Sequence, residues 1–209
     1  QDEYSPDQAR ATCLKIGFST VSTERIYQHI WKDKKQGGTL YTFLRRKGRK
    51  YRKRGAAKDS RGIIKHRIDI DLRPDIVEKK ERFGELEIDT IIGKNHKGAI
   101  VTINDRASGY LWMGKVKQRT AENVANVAKA LLLEDKVFIK TITADNGKEF
   151  ANHQDIAKYL DLDFYFAKPY HSWQRGANEN LNGLIRQYIP KKTDFETVDY
   201  AFVKHVQNK

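Results

Sequence analysis

Cysteine is nearly absent: Cys13 stands alone in 209 residues, which excludes an intrachain disulfide and any cysteine-based zinc site. The six histidines are scattered without ligand-like spacing, so a histidine-rich metal centre is excluded too. No apolar run is long enough to span a bilayer, and no signal peptide is recognisable. Membranes are therefore set aside, and a reducing, cytoplasmic setting fits. Negative charge is also scarce. The 27 Asp and Glu against 40 Lys and Arg leave a formal net charge of +13. A surplus of that size favours a polyanionic partner, of which nucleic acid is the commonest. With 39% apolar residues, the chain suffices for one good core and a small accessory domain.

Three segments are legible. Residues 1–35 read as two short helices. Ser5-Pro6 supplies an N-cap and a first-turn proline, Gly17 a stop, and Ser22 a cap for "TERIYQHIW". Ile26, Tyr27, Ile30 and Trp31 form the apolar side of the second helix, and Thr23, Arg25, Gln28 and His29 face outward. Two readings stand: a helix-turn-helix that presents those four residues to DNA, or a helical hairpin that only packs. Residues 36–80 form a connector dominated by "RRKGRKYRKRG". There Arg45, Arg46, Lys47, Arg49, Lys50, Arg52, Lys53 and Arg54 crowd around Tyr51. Such a block is either a solvated linker or a track for phosphates.

From residue 81 onward the pattern becomes α/β. "GELEIDTIIG", "GAIVTIND" and "YLWMGKVKQ" predict three strands, followed by a helix capped at Thr120. The strand "VFIKTITADNG", the short helix "DIAKYLDL" and the strand "DFYFAK" come next. This order predicts a mixed sheet flanked by helices over residues 81–209. A last helix lies between Pro169 and Pro190. Its wheel sets Leu181, Leu184, Ile185 and Tyr188 against Glu179, Asn182, Gly183 and Arg186.

Three carboxylates stand out against this frame. Asp89 interrupts the apolar strand "LEIDTII", where burying an unpartnered ion costs several kcal/mol. Asp145 closes a strand at the edge where open α/β sheets place ligands. Glu179 opens the amphipathic helix. Each has an ordinary reading: a misread register, an Asx turn before Asn-Gly, and a solvated charge. Together, two strands and a helix would bring three acids to one sheet edge. An all-oxygen set of that kind suits Mg²⁺ or Mn²⁺. A pair of such ions about 4 Å apart supports in-line phosphodiester displacement. Asp105 is the leading decoy for the first ligand and reads as a hairpin cap, while Glu149 reads as an orienting residue for the local turn. Arg175 and Arg186 are candidates for phosphate contact.

The stretches "DTIIGK", "TADNGKEF" and "PYHSWQRGANENLNGLIRQYIP" closely resemble the DDE transposases of bacterial insertion sequences, specifically the IS-thirty family. "VSTERIYQHIW", "GGTLYTFLRRK" and "YRKRG" resemble that family's helix-turn-helix and connector. Asp145 and Glu179 have 33 residues between them, and Arg186 follows Glu179 by seven, as the family pattern requires. The resemblance implies an RNase H-like catalytic domain in which Asp89, Asp145 and Glu179 bind two Mg²⁺ ions, with Mn²⁺ as substitute. It also implies action on double-stranded DNA, namely the terminal inverted repeats and the target, by a homodimer. Further segments are expected before residue 1 and after residue 209, which leaves the catalytic domain truncated. Where the family more often has glycine, this chain has Ile88. Two rival functions are a non-catalytic DNA-binding regulator and an RNase H-like nuclease that does not join strands.

Overall fold

The computed structural model describes residues 4–44, 64–168 and 176–209, with the backbone alone at Glu179. Two compact units divide the chain, Gln1–Ala57 and Lys58–Lys209.

In the first unit, helix α1 (Pro6–Lys15) begins with a full capping box. The Ser5 hydroxyl accepts from the Gln8 amide, and the Gln8 side chain accepts from the Ser5 amide. Helix α2 (Thr23–Lys35) starts at Ser22, whose hydroxyl accepts from the Arg25 amide. Both helices thus begin where their caps predict. Ile30 is buried on α2, whereas Trp31, expected on the buried side, is 40% exposed. Arg25, Gln28 and His29 are exposed as expected, and Thr23 is half-buried.

The second unit is built on a six-stranded sheet. Its strands are β1 (Ile68–Asp69), β2 (Glu85–Ile92), β3 (Ala99–Asp105), β4 (Leu111–Val116), β5 (Thr141–Ala144) and β6 (Asp163–Phe166), in the order β1-β6-β5-β2-β3-β4. β2, β3 and β4 form an antiparallel meander, while β5 runs parallel to β2 and β6 parallel to β5. This is the RNase H-like mixed sheet that the resemblance implies. Residues 68–79, read from the sequence as connector, carry strand β1 and the short helix α3 (Ile76–Lys79). β1 pairs in parallel with β6, so the sheet begins before residue 81.

Side-chain alternation gives the sheet two different faces. Leu86 and Ile88 of β2, Val101 and Ile103 of β3, Ile142 and Ala144 of β5, and Phe164 and Phe166 of β6 share one apolar core. Helices α4 (Ala121–Leu132) and α5 (His153–Leu160) close it with Val124, Ala128, Leu132, Ile156 and Leu160. On the other face a smaller apolar cluster joins Ile91, Ile100 and Met113 to helices α6 (Gly176–Tyr188) and α7 (Tyr200–Gln207). Ile185 of α6 and Val203 and Val206 of α7 are its anchors. Helix α7, capped by Asp199, had no counterpart in the sequence reading.

One glycine in this unit is obligatory. Gly84 has φ +96°, and a Cβ there would lie 2.0 Å from the Phe138 carbonyl oxygen. Its amide donates to Asp105 Oδ1 and its carbonyl accepts from the Lys140 and Thr141 amides, so β2 enters the sheet tied to both neighbours.

Candidate active site

Strand β2 carries Glu85, Glu87 and Asp89 at alternate positions, all pointing away from the apolar core. The parallel ladder of β2 and β5 pairs Glu85 with Thr141, Leu86 with Ile142 and Glu87 with Thr143. Carried two residues further, that register sets Asp89 opposite Asp145, which follows the last residue of β5. Neighbouring strands lie about 4.8 Å apart; Asp89 lies within β2, which runs on to Ile92, and Asp145 immediately follows β5, so an extension of that register puts the two in neighbouring places on one face. That extended register would bring together two of the three acids singled out from the sequence.

The third, Glu179, lies in the first turn-and-a-half of α6. That helix is fastened to β2 on either side of it. The Asn178 amide donates to Glu87 Oε2 at 3.1 Å, and Asn182 Nδ2 donates to Asp89 Oδ2 at 2.8 Å. The polar stripe of α6 is thus turned partly toward the sheet: Asn178 is 1% exposed, and Asn182 is half-buried between β2 and β3. Amphipathic reasoning assumed that a polar stripe meets water. Here it meets a polar sheet face.

The local turns hold the aspartates. Asp89 Oδ1 accepts from the Thr90 amide at 2.7 Å, and Asp145 Oδ1 accepts from the Gly147 amide at 2.7 Å. Glu149 braces the same edge, accepting from the Thr90 hydroxyl and from Arg119, each at 3.0 Å. Read from the sequence as capping or orienting its own turn, Glu149 instead bonds to residues of other segments. Asp105 is accounted for as a cap. Fully buried, it accepts from the amides of Gly84, Ala107 and Ser108.

Beneath the aspartates lies an ionic cluster that the sequence reading did not single out. Glu85 and Glu87 are 0% and 1% exposed. Arg106 Nε lies 3.1 Å from Glu87 Oε1, without the alignment of a hydrogen bond. Glu78 bridges Arg106 and Arg73, and Arg73 also donates to the Thr143 hydroxyl. Glu85 takes Arg82 and the Thr141 hydroxyl. Burial, and then the charge of Arg106, pulls the Arg73 guanidinium down to about 10. Burial likewise lowers Arg106, against the opposing pull of Glu87 and Glu85. At about 10, Arg73 remains a cation at neutral pH. The signal was present in "ELEIDTII", where three acids alternate with apolar residues and therefore share one face.

Arg186 turns out to be engaged with the backbone. Its guanidinium donates to the carbonyls of Ile92, Ile189 and Pro190, and burial lowers its pKa. It ties the end of α6 to the end of β2. Arg175 and the block Arg45, Arg46, Lys47, Arg49, Lys50, Arg52, Lys53 and Arg54 lie outside the described residues.

Among the described residues no three His, Cys, Asp or Glu side chains gather as a metal site. The Glu179 side chain is not among them. Asp89 and Asp145 themselves are hard oxygen donors at one edge, the chemistry that suits Mg²⁺ or Mn²⁺. No helix among the described residues is long and apolar enough to cross a membrane.

No protein-family model matches the chain. It is 57% identical over 206 residues to the transposase of insertion sequence element IS4351 from Bacteroides fragilis, covering 99% of this chain and 63% of that protein. Transposase InsI of insertion sequence element IS30A from Escherichia coli is 35% identical over 202 residues, which are 91% of this chain and 52% of InsI. The chain thus spans only part of the length of these curated relatives. Among solved structures, a chain of the simian T-cell lymphotropic virus intasome in complex with PP2A regulatory subunit B56 gamma superposes with a TM-score of 0.49 at 16% identity, over 58% of this chain and 46% of that one. Along nearly its whole length the chain is thus similar to transposases of bacterial insertion sequences, among them that of IS30A.

Proposed function

We propose that this chain is the DNA-binding and catalytic part of a transposase that recognises the terminal inverted repeats of its element and performs metal-dependent strand cleavage and strand transfer. The reading is supported by the β2–β5 register, which if continued past Thr143 sets Asp89 beside Asp145, and by the bond from Asn182, on the helix that bears Glu179, to Asp89. Asp89, Asp145 and Glu179 together would hold two Mg²⁺ ions, or Mn²⁺ in their place. When bound, such ions activate an attacking oxygen and stabilise a leaving one.

The chemistry is in-line displacement at phosphorus. In the first step water attacks the phosphodiester at the element end, the bond to the 3′ oxygen breaks, and that oxygen leaves as a 3′-OH. In the second, the 3′-OH attacks another phosphodiester, and the new ester replaces the one broken. No covalent bond between protein and DNA forms. The three carboxylates hold the site's charge in place, and the arginines beneath them pair with Glu85 and Glu87.

In this reading residues 1–35 are a helix-turn-helix in which Thr23, Arg25, Gln28 and His29 read bases. Residues 36–80 include the basic block that follows phosphates, and residues 81–209 carry catalysis. Bringing two element ends together calls for two copies of the chain, acting on nucleoid DNA in the bacterial cytoplasm. Incubating the protein with labelled element-end duplex and Mg²⁺ or Mn²⁺ should yield both cleaved and joined strands. Cleaved strands alone would make it a nuclease, and binding without cleavage a regulator.

A further inference from the structure

We infer that Asn182 is a positioning residue of the carboxylate site: its side-chain amide fixes the orientation of Asp89 and couples that orientation to the helix that carries Glu179. The inference rests on the function proposed above. Its basis is a connected set of contacts. Asn182 Nδ2 donates to Asp89 Oδ2 at 2.8 Å, a distance typical of a donor meeting an ionised acceptor. Asn182 Oδ1 lies 3.4 Å from the Thr102 hydroxyl, and that hydroxyl lies 3.4 Å from the Asp89 carbonyl oxygen. Thr102 is the antiparallel partner of Asp89 in the β2–β3 ladder and is fully buried. The amide therefore bridges the side chain of Asp89 and the strand beside it. Its orientation follows from chemistry, because an ionised carboxylate can only accept.

Position along α6 gives this bridge its consequence. Asn182 follows Glu179 by three residues, so the two lie on neighbouring turns of one helix face. A helix shift that moved Glu179 would pull the amide from Asp89. The second fastening, from the Asn178 amide to Glu87, lies one residue before Glu179 and resists the same movement. The bond from Asn182 differs from that one in ending on a proposed metal ligand. An outer partner of this kind holds a ligand in its binding orientation, and its loss typically weakens metal affinity by about 10–100-fold.

The experiment measures Mn²⁺ binding to the DNA-free protein by the electron paramagnetic resonance signal of the free ion, alongside thermal unfolding. Asn182→Ala and the bulkier, apolar Asn182→Leu should each weaken Mn²⁺ binding by about 10-fold or more with little change in melting. Asp145→Asn should weaken it further. Asn182 variants that bind Mn²⁺ like the unmodified protein, while Asp145→Asn does not, would overturn the positioning role and leave the proposed function standing. Mn²⁺ binding that is absent, or indifferent to Asp145→Asn, would overturn the carboxylate site and the inference with it. Loss of folding in both Asn182 variants would also overturn it, since the residue would then serve the fold.

Discussion

On one face of the sheet, Leu86, Ile88, Val101, Ile103, Ile142 and Phe164 meet α4 and α5 in an apolar contact. On the other, Glu85, Glu87, Thr141 and Thr143 stand at the alternate positions of the same strands, joined to Arg73, Arg82 and Arg106. The apolar face is non-directional: its stability scales with area removed from water, and its residues can be exchanged for others of similar volume. The ionic face obeys geometry. Buried charges must each find a partner, so every member fixes the position of the next, and the last contact in the series is from Glu87 to the Asn178 amide of α6. One strand, β2, serves both rules through its period of two.

Removing one ion should have the largest effect on folding. Glu87→Ala leaves Arg106 buried beside an empty place and frees the Asn178 amide, and we expect a loss of about 3–5 kcal/mol by chemical denaturation. Replacing both members, Glu87→Leu with Arg106→Met, should return stability to near its starting value or above it, because a buried pair gives little net stability over apolar residues of similar volume. The same double variant should still lose strand cleavage, since α6 loses one of its acceptors on β2, the one whose donor lies nearest Glu179 in sequence. Recovery of cleavage together with stability would show that the ionic face is not what places α6. On the apolar side, Ile142→Val should cost only about 0.5–1.5 kcal/mol and leave cleavage intact. The smallest effect should be at the rim. Lys129 and Asp155 pair at 2.6 Å with the aspartate 57% exposed, so Lys129→Ala should change stability by about 0.2–1 kcal/mol.

Most of the apolar face was legible in the sequence, because strands and helices that bury apolar residues announce their period: β2, β3, β4, β6 and α4 lie where alternation and capping placed them. Asp89 and Asp145 were legible as exceptions to that pattern. Glu85, Glu87, Arg73 and Arg106 were not, because a charge on a strand looks the same whether water or an arginine some twenty residues away satisfies it. Arg73 also lies in a stretch that composition marked as connector, and only the pairing of β1 with β6 brings that stretch to the sheet. Asn182 was placed on the correct stripe of its helix, but the stripe's partner is Asp89 on another element. Arg186 was read as a phosphate ligand from its charge, whereas its neighbours are carbonyls at the ends of β2 and α6.

In the proposed function the ionic face serves to present three carboxylates, of which Glu179 is the third. Glu179→Gln keeps the shape of the side chain and removes its charge. With labelled element-end duplex in Mg²⁺ or Mn²⁺, this variant should bind the end as the unmodified protein does and produce neither cleaved nor joined strands. Normal cleavage by the Glu179→Gln protein would contradict the account and return Glu179 to the status of a charge on a helix.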